Sequence, residues 1–318
     1  MNGNEGTYPT VIASSVVRGA RKGESHGGIF LVDLHSGRWK LKLDWAEMDI
    51  EWEGSGRDRG LRGIAFYRDL LVIASSSEML LLDQEFNVVD RFTCPYMFMC
   101  HEIVVSGDEL FISSTGYDSI LVYDFSLRRF TLGYRIVFEN HFPKVIRFDP
   151  EGSEGPDRVN SFHINNVFVS DDEIFFSGLN FDILLAIGRN GRLRNEAKIV
   201  KGTHNVRRYR DGLLMNDTPM NDILFLSNSG EFRYPVPRYD PSSLIVPPGD
   251  YVARQQFGRG LVTTGDLIIA GSAPSTISLY RFGTAEPLKS VNLTMDIRHS
   301  IHGLEIWPFG KKARSLYV

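Results

Sequence analysis

A phrase of about two dozen residues returns five times along this chain, and that return limits the fold more than any other feature. It reads RGIAFYRDLLVIASSSEMLLLD from Arg62, HEIVVSGDELFISSTGYDSILVYD from His101 and NNVFVSDDEIFFSGLNFDILLAIG from Asn165. It comes back as HNVRRYRDGLLMNDTPMNDILFLS from His204 and RGLVTTGDLIIAGSAPSTISLYRF from Arg259. Each copy opens on a polar residue, and Asp69, Asp108, Asp172, Asp211 and Asp266 each fall seven positions after it. Short runs of Val, Ile, Leu and Phe on either side of a Gly/Asp/Asn turn predict antiparallel hairpins. No long stretch with a 3.6-residue period competes.

A fourth run follows most copies, as in FNVVDRF at Phe86, RRFTLGYRI at Arg128 and PLKSVNL at Pro287. Four antiparallel strands recurring at about 40 residues predict the blades of a propeller. HGLEIWP at His302 opens a copy and stops, while TVIASSV, GGIFLVDL and RWKLKLDW near the N-terminus supply the strands it lacks. The expectation is all-β: one six-bladed β-propeller over 1–318. Blade 1 joins 8–45 to 301–308, closing the ring and removing an unpaired edge. The other blades are expected at 61–92, 100–137, 161–200, 203–237 and 257–293. The long links 139–160 and 235–256 are expected to act as lids.

Bulk properties exclude some partners. With a net charge of −4 and no basic stripe, no nucleic-acid partner is expected. No run approaches ~18 consecutive apolar residues, so no membrane span is expected. MNGNEGTYPT lacks the basic and apolar parts of a secretory signal. The two cysteines, Cys94 and Cys100, form no CxxC motif and fit a reducing compartment. A cytoplasmic location follows as the expectation.

The first strand of each blade lines the central channel, so the opening residues form a ring at one mouth. They are Arg62, His101, Asn165, His204, Arg259 and His302, with His163 two residues before Asn165. On a strand, His163 would face the same way as Asn165. The chain has only 8 histidines in all, so four on one ring is a concentration that calls for chemistry. Neutral imidazoles are good ligands for divalent iron or zinc, with one position left open for water or substrate. His101, His204, His302 and His163 are the candidate ligands of one such ion. Arg62 and Arg259 are candidate clamps for a small anionic molecule.

Loops after the second strands surround the same mouth. They bring Tyr117 and Asp217 forward as acid/base candidates, with Asp118, Asp182, His26, His141 and Tyr96 behind them. Rim Asp residues also commonly satisfy turn backbones. His299 is expected to face away from His302.

Six blades with channel histidines resemble the peptidyl-α-hydroxyglycine amidating lyase type of propeller within the wider NHL-like group. FHINNV, GLRGIAF and IHGLEIWP are similar to phrases in bacterial propeller proteins. The lyase resemblance implies zinc held by histidines of different blades, here His101, His204 and His302, beside a catalytic Arg such as Arg62 or Arg259. Carotenoid cleavage oxygenases resemble this ring in site plan, with iron held by four histidines. The leading expectation is a metal-dependent lyase or hydrolase acting on a small anionic substrate. Alternatives are a non-haem Fe(II) oxygenase and a non-catalytic propeller that binds a protein partner.

Overall fold

A computed structural model describes residues 8–46, 59–140, 142–188, 190–249 and 252–310. Six small antiparallel sheets follow one another around a ring, giving a six-bladed β-propeller. Five sheets have four strands and one has five. Among the described residues, no helix is long and apolar enough to cross a membrane.

Turn chemistry sets each blade's register. Tyr67 pairs with Leu70, Ser106 with Glu109, Ser170 with Glu173, Tyr209 with Gly212, and Thr264 with Leu267. Each pair brackets a two-residue turn whose second residue is one of the five register-matched aspartates. The first residue of each turn, Arg68, Gly107, Asp171, Arg210 or Gly265, has positive φ. Such turns match the right-handed twist of the flanking strands.

Blade 1 confirms the closure. His299–Ile306 is its innermost strand and pairs antiparallel with Thr10–Val17, followed outward by Gly28–Asp33 and Trp39–Asp44. The inner strands of blades 2 to 6 are Ile64–Tyr67, Cys100–Ser106, Ile164–Ser170, Thr203–Tyr209 and Arg259–Thr264.

The core is divided among the six junctions between blades. Ile12, Leu31, Leu71 and Leu80 join blades 1 and 2, for example, and Phe111, Ile120, Phe176 and Leu185 join blades 3 and 4. Because both faces of a blade are covered, its middle strands read as continuous apolar runs such as Met79–Leu82.

The link 139–160 differs from the expected lid. Phe142–Phe148 pairs along Arg129–Glu139 and adds a fifth, outermost strand to blade 3. Pro143, Val145 and Phe148 are half-buried while Phe142, Lys144, Ile146 and Arg147 are exposed, which suits a half-covered edge. In the other link, Pro241–Ser243 forms a single 3-10 turn, and Ile245 makes a parallel bridge to Asp296.

Near the axis the inner strands crowd one another. A Cβ added to Gly303 would lie 2.1 Å from the Arg62 carbonyl oxygen, and one on Gly63 would lie 2.6 Å from that of His101. Gly303→Val should therefore lower the thermal midpoint, costing about 2 kcal/mol or more. Gly152→Ala, whose nearest neighbour is 3.5 Å away, should be close to neutral. Deleting 301–318 should abolish the cooperative melt that closure supports. An unchanged melting curve in either Gly303→Val or the deletion would contradict this account of the axis.

Candidate functional site

Five inner strands carry a register shift beside the polar ring. The shifts fall between Cys100 and Ile103, Ile164 and Asn166, His204 and Arg207, and Arg259 and Leu261, and opposite Ala13/Ser15 in blade 1. A bulge bends its strand and re-aims the side chain it carries. One cavity results, lined by Arg62, Gly63, His101, Glu102, Asn165, His204, Asn205, Arg259 and His302. Its accessible space, about 20 Å³, is what one water or ion needs.

The surrounding bonds fix the polarity of the ring. His101 Nδ1 lies 2.7 Å from the Met99 carbonyl oxygen and 2.7 Å from Thr115 Oγ1. A carbonyl only accepts, so Nδ1 carries the proton and Nε2 keeps its lone pair. The Thr115 hydroxyl donates onward to the Ile164 carbonyl of the next blade. His204 Nδ1 is 3.3 Å from Thr218 Oγ1, which also accepts from Arg259 Nη1 at 2.9 Å. Asn165 Nδ2 donates to the Thr203 carbonyl at 3.2 Å. His204 Nε2, His302 Nε2 and Asn165 Oδ1 are buried without a hydrogen-bond partner. Leaving such an atom unsatisfied costs about 1–3 kcal/mol.

All four imidazoles are held neutral. Burial, then the charges of Arg62 and His163, push His101 well below the usual range. Burial, then Arg259, does the same for His204, and burial with Arg62 and Arg259 does so for His302. His163 falls to about 4, first through burial and then through Arg259 and Arg62. One step deeper, Glu102 accepts from Asn205 Nδ2 at 2.6 Å and faces Arg207 at 3.4 Å. Burial lifts the Glu305 carboxyl to about 7, against the pull of Arg207 and with the push of Glu102.

The structure brings Arg62, His101, Asn165, His204, Arg259 and His302 together as the ring. His163 arrives by another route than strand alternation. Its φ is +54°, so it precedes the strand in a left-handed turn. Asp118 creates that turn by accepting the backbone N–H groups of Ser161, Phe162 and His163. The His163 ring then sits 5.2 Å from that of His101, edge to face, while His302 lies 6.2 Å from His101.

The acid/base candidates are engaged elsewhere. The Tyr117 hydroxyl donates to the Pro95 carbonyl at 3.1 Å, and Asp217 pairs with Arg233 at 2.8 Å. Neither lines the cavity. Asp118 serves the His163 turn, Tyr96 donates to the Gly152 carbonyl, and Asp182 is exposed. His26 is buried outside the cavity lining, and His141 lies outside the described residues. His299 pairs with Asp296 at 3.8 Å, away from the cavity as expected. Sequence reasoning missed Thr115 and Thr218, because a threonine after a second strand carries no distinguishing signal. A larger depression of about 460 Å³, lined among the described residues by Phe138, Asn140, Phe162, Asn180 and Phe181, lies outside the channel.

The donor chemistry fits a divalent ion of the zinc or iron type: neutral imidazoles, a locked tautomer and orphaned acceptors around one ion-sized space. Two imidazoles on one tetrahedral ion have centroids roughly 5 Å apart, a separation that His101 and His163 meet at 5.2 Å and that His101 and His302 exceed at 6.2 Å. Among the described residues, however, no three His, Cys, Asp or Glu side chains converge to ligating distance as they stand. Closing the set on one ion requires side-chain rotation.

Acid should be costly for this ring. The folded values lie below the unfolded one, so stability is full above about pH 6.5 and is lost as pH falls toward the folded values. Each neutral histidine adds a slope of about 1.4 kcal/mol per pH unit in that window. His204→Gln should flatten the stability profile between about pH 6 and 4.5 by roughly that amount. Chemical denaturation across this range measures it, and an unchanged slope would mean that His204 protonates freely in the fold.

No family model matches the chain, and no curated protein matches it. Solved structures do. A nidogen/laminin complex is similar at a TM-score of 0.58 and 9% identity, covering 93% of this chain and 97% of that one. A protein of unknown function from Bacteroides caccae is similar at 0.54 and 9% identity, covering 93% and 98%. A streptogramin B lyase scores 0.44 at 15% identity, covering 71% and 70%. At these identities the likeness of the first two is one of fold: the chain shares their propeller architecture.

Proposed function

We propose that the channel holds one divalent transition metal, zinc or iron, and that the protein is a metal-dependent lyase or hydrolase acting on a small anionic molecule. The observation that carries this reading is the set of buried polar atoms without a hydrogen-bond partner on one cavity: His204 Nε2, His302 Nε2 and Asn165 Oδ1. His101 joins them because its Nδ1 bonds leave Nε2 as the lone-pair nitrogen. His163 stands beside His101 as the fourth imidazole.

When bound, such an ion supplies Lewis acidity to a water or a substrate oxygen. The chain's own residues do the rest. Met99 and Thr115 hold the His101 ring in one tautomer and orientation. Thr218 ties His204 to Arg259, so the imidazole and the guanidinium are placed by one hydroxyl. Arg62, anchored on the Cys100 carbonyl at 3.2 Å, and Arg259 present positive charge to the same cavity and orient an anionic group there. Their charge also keeps the imidazoles unprotonated, the form a metal needs. The resemblance to the lyase-type propeller supports a metal plan rather than a shared substrate.

A second reading draws on the two arginines and on the absence of a converged triad among the described residues. In it, the ring binds an anion and water without metal.

Elemental analysis of protein purified without an affinity tag separates the two. About one zinc or iron per chain is expected, with affinity falling tenfold or more in His204→Ala and in His302→Ala. Thr115→Val, which removes a second-sphere acceptor, should weaken uptake by roughly 10- to 100-fold. Zinc favours the lyase or hydrolase, and iron favours oxygen chemistry. A wild-type protein that takes up neither metal when supplied would leave the anion reading.

A further inference from the structure

The seam between blades 4 and 5 ends, beside the channel, in four polar side chains instead of apolar ones. Asn166 and Ser177 are cross-strand partners on the first two strands of blade 4, Ile164–Ser170 and Glu173–Gly178. Thr203 and Asp217 are partners on the first two strands of blade 5, Thr203–Tyr209 and Gly212–Asp217. Two residues along, Phe168, Phe175 and Met215 pack with Val206 in the core that joins these blades. A strand repeats its facing every two residues, so Asn166, Ser177 and Asp217 face the same seam, and Thr203 stands opposite Asp217. The bond from Asn165 Nδ2 to the Thr203 carbonyl draws the two inner strands together at this level.

All four side chains are 0 or 1% exposed. Yet Asn166 Nδ2, Ser177 Oγ, Thr203 Oγ1 and Asp217 Oδ1 have no hydrogen-bond partner among the described residues. Buried polar groups are nearly always satisfied, so four such atoms on one seam mark a place built around an occupant. Three of the four are oxygens, and the Asn166 amide presents a fourth when its two ends are exchanged. Charge selects among occupants. The second Asp217 oxygen pairs with Arg233 at 2.8 Å, but that guanidinium also faces Asp222 at 3.4 Å and the exposed Glu231 at 3.3 Å. Burial raises the Asp222 carboxyl against the pull of Arg233, and Asp217 raises it further. Arg254 bonds the Thr218 carbonyl at 2.6 Å and Asn221 Oδ1 instead of a carboxylate. One guanidinium thus serves more than one carboxylate, and the inward oxygen of Asp217 is left without a countercharge of its own. A water would meet the hydrogen bonds and leave that charge; a positive ion meets both. A calcium-type ion takes about six to eight oxygens, several of them carboxylate, whereas one carboxylate oxygen reaches this seam.

We infer that Asn166, Ser177, Thr203 and Asp217 bind a monovalent alkali cation, sodium or potassium, between blades 4 and 5. This site is separate from the channel cavity, whose lining contains none of the four. The ion sits one residue behind the polar ring, since Asn166 follows Asn165 and Thr203 precedes His204. Its occupancy fixes the seam that carries both ring residues, so an alkali ion stabilises the ring without entering it. Asp217 is then an ion ligand and not the acid or base that its place on the rim suggested.

Thermal melts of the full-length protein in sodium, potassium and choline chloride at equal ionic strength test it. At about tenfold its Kd, the preferred alkali ion should raise the midpoint by about 2–4 °C over choline. The rise should follow a single-site curve in its concentration, and the chloride that gives it identifies the ion. Ser177→Ala and Thr203→Val each delete one oxygen with little change of shape, and each should weaken the ion roughly fivefold or more. Asp217→Asn should abolish the response. Because it also disturbs the Arg233 pair, the two hydroxyl variants decide the matter if it does not fold. Arg210→Gln, at a surface pair with Asp266, should keep the full response. Equal midpoints in the three chlorides, or a response unchanged in Ser177→Ala and Thr203→Val, overturns the ion and leaves water in its place. Zinc and iron do not enter these readings. An alkali response in protein that takes up neither metal sustains this site while the channel proposal falls, and metal uptake without an alkali response does the reverse.

Discussion

Backbone meets backbone at the centre of this molecule, and the remainder of the structure accommodates that contact. The Gly63 N–H donates to the His101 carbonyl at 2.8 Å, linking blades 2 and 3 without a side chain between them. Between blades 1 and 2 the link is one serine: Ser14 Oγ accepts from the Gly303 N–H at 2.9 Å and donates to the Arg62 carbonyl. Gly260 takes φ of +71° beside the His302 carbonyl. A methyl group at Gly63 or Gly303 would separate neighbouring blades, and only glycine combines positive φ with such close approach at no steric cost. The Arg-Gly and His-Gly pairs are therefore one device: the glycine lets the strands close, and its predecessor points where they close.

Crowding also explains why the ring is chemically poised. Strands this close leave space for one small species, and bulges turn the opening side chains toward it. Burial then withholds protons from the imidazoles, and two guanidinium groups reinforce the effect. The result is a set of neutral nitrogen acceptors beside fixed positive charge. The deeper layer differs. There the Glu102 carboxylate accepts from Asn205 Nδ2 and Arg207 Nη2, so a paired carboxylate lies one residue step along the channel from the imidazoles.

Much of this was legible from turn chemistry. The five aspartates marked the hairpins because tight turns favour Gly, Asn and Asp, and in each turn the residue before the aspartate takes positive φ. That register located the inner strands, and the inner strands located Arg62, His101, His204, Arg259 and His302. The reading failed where geometry departs from strand alternation. His163 lies in a left-handed turn set by Asp118, a contact 45 residues away in sequence. Tyr117 and Asp217 sit on the correct rim, yet their side chains turn to Pro95 and Arg233, and position along a loop does not specify direction. The strand Phe142–Phe148 was concealed because its apolar residues do not mark a buried face: Phe142 and Ile146 are exposed beside Lys144 and Arg147.

The closure has a consequence for how the protein is made. A ribosome releases a chain from its N-terminal side, so Thr10–Val17 emerges long before its partner His299–Ile306. Through most of synthesis, blade 1 has three strands and presents the open hydrogen-bonding edge of Thr10–Val17, while blade 6 has no neighbour for Ile269 and Ile277. Nascent chains in this state can pair with one another along that edge. The Gly303 N–H bond to Ser14 forms only after Gly303 arrives. The central site cannot be complete before His302 emerges, and chains interrupted before that point lack both the site and the seam.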